Sequence, residues 1–398
     1  MVRQRLSWLR RKRYTCGDDG RDGVRLGNAP VDRILFTTVS FFAINIMRRN
    51  KLFTVLRTTL TVVIISAAVS VAEMPPPGAK PVPDMQVLPL PYDQASFEHL
   101  GRELTRYHFG PQLRRPFWYP IAGPCGRSLT RMNMPGDPGR SLTRAIQPED
   151  PNKPEDPLGH SHQTSVWICH KDVNGFDFWR DGGPLAGQIV HQTRREGLEY
   201  QDRPAAASLL SLNHWNDPGG KTLMVERRRT TVAPGEGGSW WMTIDLQFEA
   251  PPDGQVILGK TPFGPIGVRV AKTIGVTDGG GRILNSAGQR NEAEAFRKPA
   301  RWVDYSGPIT NGQAAGITLM DHPANPNHPA PFHVRDNGWM GVCLTLDAPV
   351  TITPDRPVRL RYGLWMHPAV PDAQKLDQQW QAFASRELAP LTARPRNE

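Results

Sequence analysis

Apolar and polar residues alternate along much of the chain after about residue 97, and this two-residue period is typical of β-strands with one buried face. Residues 240–249 (WWMTIDLQFE) show it most clearly, and residues 358–367 alternate in the same way. Residues 266–271 and 316–320 predict shorter strands. Asp-Gly and Asn-Gly pairs between such segments are turn signals. The pattern predicts an all-β fold: a large antiparallel β-sandwich of the extended, supersandwich-like kind.

Only one segment has a convincing helical pattern. Residues 372–388 begin at Asp372, a residue type that caps helix N-termini, and place Leu376, Trp380 and Phe383 on one face. We therefore expect a short C-terminal helix and a tail within residues 371–398.

The first part of the chain has the composition of a leader. Residues 47–72 combine a basic start, an apolar run and small residues near the end, which is the order of a secretory signal peptide. Its apolar run is short for a membrane span, and an uncleaved anchor is the alternative. The predicted division is a mis-annotated extension or disordered basic leader (1–46), a signal peptide (47–72), a Pro-rich linker (73–91) and a β-sandwich domain (92–370). We expect an extracytoplasmic protein, periplasmic or secreted, with no membrane contact beyond the cleaved signal.

The net charge of +10 lies in this leader. Residues 1–72 contain 13 Lys and Arg against 4 Asp and Glu, and the remainder contains 35 against 34. A nucleic-acid-binding protein carries its positive charge on the folded surface, so the charge distribution argues against that class. Three cysteines follow the predicted cleavage site, and their number and spacing favour buried thiols over a disulfide framework or a zinc site.

Residues 160–179 (HSHQTSVWICHKDVNGFDFW) contain a group of histidines. If the segment is one strand, His160, His162 and His170 point to one side, where they suit a metal or a polar ligand. The adjoining Asp172 and Asn174 lie around a predicted tight turn.

A structural interpretation of the same segment is also open. Asp172 and Asn174 would then cap the turn, while Trp167 and Trp179 fill the core. The pattern alone does not separate these alternatives.

Residues 320–338 form a second concentration of ionisable groups. They include Asp321, His322, His328 and His333, in a loop stiffened by prolines. Such a loop on a β-scaffold holds side chains in fixed positions. We expect these residues to face those of the first histidine segment across a cleft, although a solvated loop has the same composition.

Residues 285–307 mix Trp302 with Arg301 and other hydrogen-bonding residues. This composition suits a carbohydrate site, because an indole stacks on the apolar face of a sugar while amides and charged groups bind its hydroxyls. It is equally common in surface loops.

Four segments, at 114–131, 160–179, 281–307 and 320–338, together resemble the bacterial family labelled "PmoA" or "methane oxygenase". The resemblance extends over about residues 97–370. Its matching positions are His160, His162, His170, Asp172, Asn174, Asp321, His322, His328 and His333. Where members often have HPHHRS, this chain has HSHQTS, so Gln163 and Thr164 replace a histidine and an arginine.

The resemblance implies an exported protein of polysaccharide-degrading bacteria, and by analogy of fold a galactose-mutarotase-like supersandwich. The methane-oxygenase label lacks chemical support, since membrane-bound methane oxidation requires several apolar spans that the mature chain does not contain.

These observations predict a carbohydrate-active protein, most simply an epimerase, lyase or hydrolase acting on a sugar ring. The predicted catalytic residues are His162, His170, Asp172, His333 and Asp321. The predicted substrate-binding residues are Trp167, Asn174, Trp179, Arg269, Arg301, His322 and His328. The expected partner is a carbohydrate or another small molecule.

Two alternatives remain open. The first is a non-catalytic glycan-binding protein of the cell envelope, which uses the same aromatic and amide groups. The second is a metalloprotein that binds a divalent transition metal through His160, His162 and one of His170, His328 or His333. No cofactor is predicted in the main interpretation.

Overall fold

The computed structural model describes residues 79–132, 160, 162–192, 198–388 and 391. In chain order its strands are β1 (Met85–Leu90), β2 (Gln94–His99), β3 (Arg102–His108), β4 (Phe117–Ile121), β5 (Val166–Ile168), β6 (Gln188–His191), β7 (Leu198–Arg203), β8 (Ala206–Asn216), β9 (Thr222–Pro234) and β10 (Trp240–Glu249). They continue with β11 (Val256–Leu258), β12 (Ile266–Arg269), β13 (Arg282–Asn285), β14 (Lys298–Pro299), β15 (Trp302–Thr310), β16 (Gln313–Asp321), β17 (Pro331–Arg335), β18 (Trp339–Val342), β19 (Val350–Ile352) and β20 (Val358–Pro368). The α-helices are α1 (Val276–Gly279), α2 (Asn291–Ala295) and α3 (Ala373–Ala384), and two 3-10 turns lie at Glu236–Gly238 and Lys272–Ile274.

Eighteen of the described strands belong to one antiparallel sheet, and β11 pairs with β19 in a second, small one. The first arm of the large sheet runs β14-β17-β18-β12-β5-β4-β3-β2-β1. The second runs β7-β8-β9-β10-β20-β16-β15-β13. Strand β6 also pairs with β8, on the same edge as β7. A short pairing between β1 and β7 joins the two arms.

The two arms fold over a shared core. The Arg228 guanidinium of β9 lies 5.2 Å from the ring of Trp118 on β4. The Tyr305 hydroxyl of β15 donates to the carbonyl of Asp336, just after β17, at 2.9 Å. Apolar residues of both arms form one buried cluster. The predicted mostly-β antiparallel architecture with a C-terminal helix is confirmed.

Helix α3 begins where the sequence predicts and ends earlier. The Asp372 carboxylate accepts a hydrogen bond from the Lys375 amide at 2.8 Å, which caps the first turn. The helix ends at Ala384, four residues before the predicted end, and beyond it the carbonyls of Arg386 and Glu387 accept hydrogen bonds from the Arg361 guanidinium. Its buried residues pack on the outer side of β10, β16 and β20.

The predicted leader and signal peptide lie outside the described residues, and so does the first part of the predicted linker. Within the remainder of that linker the structure differs from the prediction. Residues 85–90 form strand β1 and pair with β2, and the buried Met85 and Val87 alternate with less buried positions. None of the helices in the described part of the chain is long and apolar enough to cross a membrane. Cys169 and Cys343 are buried free thiols, and Cys125 is a free thiol on the surface.

Candidate functional site

Strands β5, β12, β18 and β17 align four residues in one row across the first arm. The antiparallel registers pair Trp167 with Gly267, Gly267 with Gly341, and Gly341 with His333. Directly paired residues of antiparallel strands project from the same face. The alternate positions project into the apolar core: Val166, Val268, Met340 and Val334. We call the opposite face, which carries Trp167, Gly267, Arg269, His333, Trp339 and Gly341, the aromatic face. This face is buried as well, and its indoles belong to the same apolar cluster.

The two glycines of the aromatic face make room for its indoles. A Cβ added at Gly267 would lie 2.6 Å from Cζ2 of Trp167 and 2.7 Å from Cη2 of Trp339. One added at Gly341 would lie 2.7 Å from Cζ2 of Trp339. The Trp167 and Trp339 rings therefore lie over the backbone at positions that only glycine accommodates without displacement.

Two further aromatic residues extend the face. The Trp179 ring centroid lies 5.6 Å from that of Trp167, 5.3 Å from that of Trp339 and 5.1 Å from that of Phe263. His333 adjoins this group at 6.0 Å from Trp339 and 5.2 Å from Phe263. His162 adjoins it at 6.0 Å from Trp179. The structure thus places His162 and His333, from segments about 170 residues apart, around one group of aromatic rings.

Arg115 fixes the segment that carries His162 and Trp179. Its guanidinium donates to the carbonyls of His162, Phe178 and Trp179 at 2.9–3.2 Å, and it pairs with the Asp181 carboxylate at 2.9 Å. The sequence analysis did not single out Arg115, because a buried arginine that binds carbonyls leaves no local pattern.

Several buried polar atoms of the aromatic face have no hydrogen-bond partner within the described residues. They are Nε1 of Trp167, Nε1 of Trp339, Nδ1 of His333 and Nε of Arg269. Native proteins satisfy nearly all buried polar atoms through protein, water or ligand. These atoms make the aromatic face a candidate site for a polar molecule.

Both histidines of the site are neutral at physiological pH. Burial, followed by the charges of Arg297 and Arg335, lowers the pKa of His333 to about 4. Burial also holds the pKa of His162 well below its ordinary value, followed by the charge of Arg115. Neutral imidazole has one donor and one acceptor nitrogen, and it accepts protons more readily than it supplies them.

Arg269 is the buried cation of the face. Its Nη1 donates to the Asn337 side-chain oxygen at 2.9 Å. Burial, and then the charge of neighbouring Arg131, lowers the pKa of Arg269 to about 9.

His170, Asp172 and Asn174 lie in and beside a turn. The ring nitrogens of buried His170 lie within hydrogen-bond distance of the Asp172 carbonyl and the Thr345 hydroxyl, at 2.8 and 2.9 Å. Asp172 accepts from the Gly175 amide at 2.9 Å. The Asn174 side chain joins the turn to residues 255–257. These contacts match the turn-capping interpretation, and Trp167 and Trp179 of the same segment are buried in the core cluster, as that interpretation also expects.

Asp321 organises the loop that follows β16. Its carboxylate is buried and accepts hydrogen bonds from Asn325 Nδ2, the His328 ring and the Ala330 amide at 2.7, 2.8 and 3.1 Å. The His328 ring stacks parallel to Trp380 of α3, with centroids 6.0 Å apart.

His322 and Arg301 complete this second group. The His322 ring lies edge-on to Phe383 of α3 at 5.3 Å. Arg301 pairs with Asp377 of α3 at 2.7 Å and lies over the Trp380 ring. We call Arg301, Asp321, His322 and His328, with their partners on α3, the α3 cluster. The predicted site residues therefore divide between the aromatic face, the turn and the α3 cluster.

Two other features bear on ligand binding. Among the described residues no three His, Cys, Asp or Glu side chains come together as a metal site, although the His160 and His162 rings lie 5.7 Å apart. A shallow concavity of about 420 Å³, lined by residues such as Arg282, Ser306 and Val370, opens elsewhere on the surface. None of the aromatic-face residues lines it.

Comparison with known proteins identifies a family and little else. The model of DUF6807, a family of unknown function, matches residues 94–381, nearly the range of the resemblance described above. A comparison with curated proteins gives no match. The solved structure named "Putative kojibiose phosphorylase from human microbiome" is similar at 10% identity and a TM-score of 0.31, over 78% of this chain and 38% of that one. The protein HI1317 is similar at 10% identity and a TM-score of 0.22, over 71% of this chain and 99% of that one. This chain thus spans about two fifths of the first of these structures.

Proposed function

We propose that this chain, which belongs to the DUF6807 family, binds a sugar ring at the aromatic face and is a carbohydrate-active protein. The observation that carries the proposal is the group formed by Trp167, Trp179 and Trp339 with unpartnered polar atoms at its edges. A sugar ring has an apolar CH face and a polar rim of hydroxyls, so it needs both kinds of surface at once.

The enzymatic form of the proposal gives His162 and His333 the proton transfers. Both imidazoles are neutral at physiological pH, so each is free to accept a proton from a hydroxyl or a ring carbon. The two residues contact the aromatic group through different rings, Trp179 for His162 and Trp339 for His333, and a bound ring would lie within reach of both.

A non-catalytic glycan-binding function is the second candidate, and the same pKa values favour it. A general acid must be protonated before it reacts, and a pKa of about 4 leaves His333 almost entirely deprotonated at pH 7. Neutral histidines then serve as hydrogen-bonding partners of hydroxyl groups.

The test of sugar binding uses intrinsic tryptophan fluorescence and calorimetry with a panel of neutral and uronic mono- and oligosaccharides. Trp339→Phe removes an indole from the aromatic face, and Trp365→Phe is its matched control, since Trp365 is equally buried but packs in the cluster under α3. Stacking and hydrogen bonding by one indole contribute about 1 kcal/mol or more, so Trp339→Phe should weaken binding at least about fivefold. The proposal fails if no sugar binds, or if both variants weaken binding equally.

A further inference from the structure

The buried arginines of the two β-arms differ in their partners. Arg115 pairs with Asp181, Arg228 with Glu226, and Arg361 with Asp245. In each of these pairs a carboxylate offsets the cost of taking the guanidinium out of water. Arg269 is as deeply buried as Arg115 and Arg361. Within the described residues, its only hydrogen-bond partner is the neutral amide of Asn337.

The position of Arg269 connects it to the proposed sugar site. It stands two residues after Gly267 on β12, and so on the same face, and it is paired in register with Trp339. Its Nη1 is held by Asn337, while its Nε is buried without a partner.

A second cation reinforces the positive charge at this point. Arg131 is buried beside Arg269 and donates to the main-chain carbonyl of Asn337 at 2.9 Å, so both guanidinium groups bind one residue of the β17–β18 turn. The charge of Arg131 is one cause of the lowered pKa of Arg269, as expected for two like charges that share a site.

We infer that Arg269 forms a carboxylate subsite of the aromatic face, so that the sugar bound there is a uronic acid. This inference rests on the proposed function and specifies its substrate class. The planar guanidinium has an Nε edge that matches a carboxylate geometrically, and a charge-assisted bond would satisfy the unpartnered Nε.

The first experiment changes the ligand and leaves the protein intact. Binding of methyl glucuronoside and methyl galacturonoside is compared with binding of their methyl esters and of the neutral methyl glucoside and galactoside. One charge-assisted pair corresponds to about 10- to 100-fold in affinity. We expect the acid to bind more tightly than its ester by about that factor, and the preference to shrink at high salt.

The second experiment changes the protein. Arg269→Gln keeps a donor group but removes the charge, and Arg269→Lys keeps the charge but removes the planar fork. Arg269→Gln should abolish the preference for acid over ester, and Arg269→Lys should retain part of the preference. Circular dichroism and thermal unfolding verify the fold of each variant.

The outcomes separate the two proposals. If neutral sugars bind and wild-type protein does not distinguish acid from ester, the carboxylate subsite is wrong and the sugar site stands. If none of the sugars binds, the proposed function fails as well. If acetate or sulfate displaces the uronoside at equal concentration, the site binds anions without using the sugar ring, and the inference of a uronic acid is overturned.

Discussion

The aromatic face and the α3 cluster contain the same kinds of residue and differ in how these residues are satisfied. In the α3 cluster the Asp321 carboxylate has three hydrogen-bond donors, and His328 is held between that carboxylate and a parallel indole. On the aromatic face, Trp167, Trp339, His333 and Arg269 retain buried polar atoms without partners among the described residues, whereas in the α3 cluster only Nε2 of His322 does. A cluster whose polar atoms are nearly all satisfied stabilises the fold, whereas one with several unsatisfied atoms is suited to bind something else. Residue type alone does not separate the two.

The largest expected effect is on the α3 cluster. Asp321→Ala would remove the acceptor of three hydrogen bonds, two of them from buried Asn325 and Ala330, which costs about 3 kcal/mol or more in the free energy of unfolding. Asp321→Asn, which retains one acceptor oxygen, should cost less. Urea denaturation measures both, and sugar binding by the folded fraction should remain unchanged. A loss below about 1 kcal/mol for Asp321→Ala would contradict the comparison.

The next effect concerns pH. Burial lowers the pKa of His170 to about 4 from its ordinary value of 6.5. The folded state therefore binds fewer protons than the unfolded state between these values. The contribution of His170 to the free energy of unfolding is fully present above pH 6.5. It decreases by about 3 kcal/mol in all as the pH falls from 6.5 to 4, and it is constant below that.

His191 and His333 have similarly lowered pKa values, and their contributions decrease in the same pH range. Replacement of His170 by Gln should flatten the dependence of unfolding free energy on pH by about one proton between pH 4 and 6.5. Chemical denaturation at several pH values measures the slope. An unchanged slope would mean that His170 titrates normally in the folded protein.

The strands and helices were predictable where the local sequence pattern determines them. Strand β10 was predicted with the observed bounds because its residues alternate between two environments, and α3 was predicted from its cap and its apolar stripe. Strand β1 was missed because Pro89 and Pro91 suggested a linker, although Met85 and Val87 are buried in the sheet.

Only some residues of the candidate site could be predicted from the sequence. His162, Trp167, Trp179, Arg269 and His333 were named from local patterns. Gly267, Gly341 and Trp339 were not, because their role depends on a register between strands up to about 170 residues apart. The partners of Asp321 were equally hidden, since one of them is a backbone amide whose direction depends on the folded loop.

A smaller effect tests the packing of the aromatic face. The Cβ of Gly267→Ala would displace the Trp167 and Trp339 rings, and overpacking of this kind costs about 1–3 kcal/mol. Gly182→Ala is the matched control, because a Cβ there meets no atom within 4 Å. Only Gly267→Ala should weaken sugar binding. If its tryptophan fluorescence and affinity match those of the control, the indoles do not form the binding surface.

The smallest effect on stability, and the most informative for function, is expected from His162→Gln and His333→Gln. Glutamine retains donor and acceptor groups, and Nδ1 of His333 has no hydrogen-bond partner among the described residues that its removal would leave unpaired. Each variant should therefore unfold within about 1 kcal/mol of the parent protein.

In the enzymatic form of the proposal, either substitution lowers turnover by about 100-fold or more, because a positioned base is lost, while affinity changes little. In the glycan-binding form, no turnover exists to be lost, and affinity is again nearly unchanged. Because the two forms agree on affinity, turnover decides between them: a uronic sugar consumed by the parent protein and left intact by both variants would establish catalysis. Consumption by both variants at the parental rate would remove these two histidines from the chemistry.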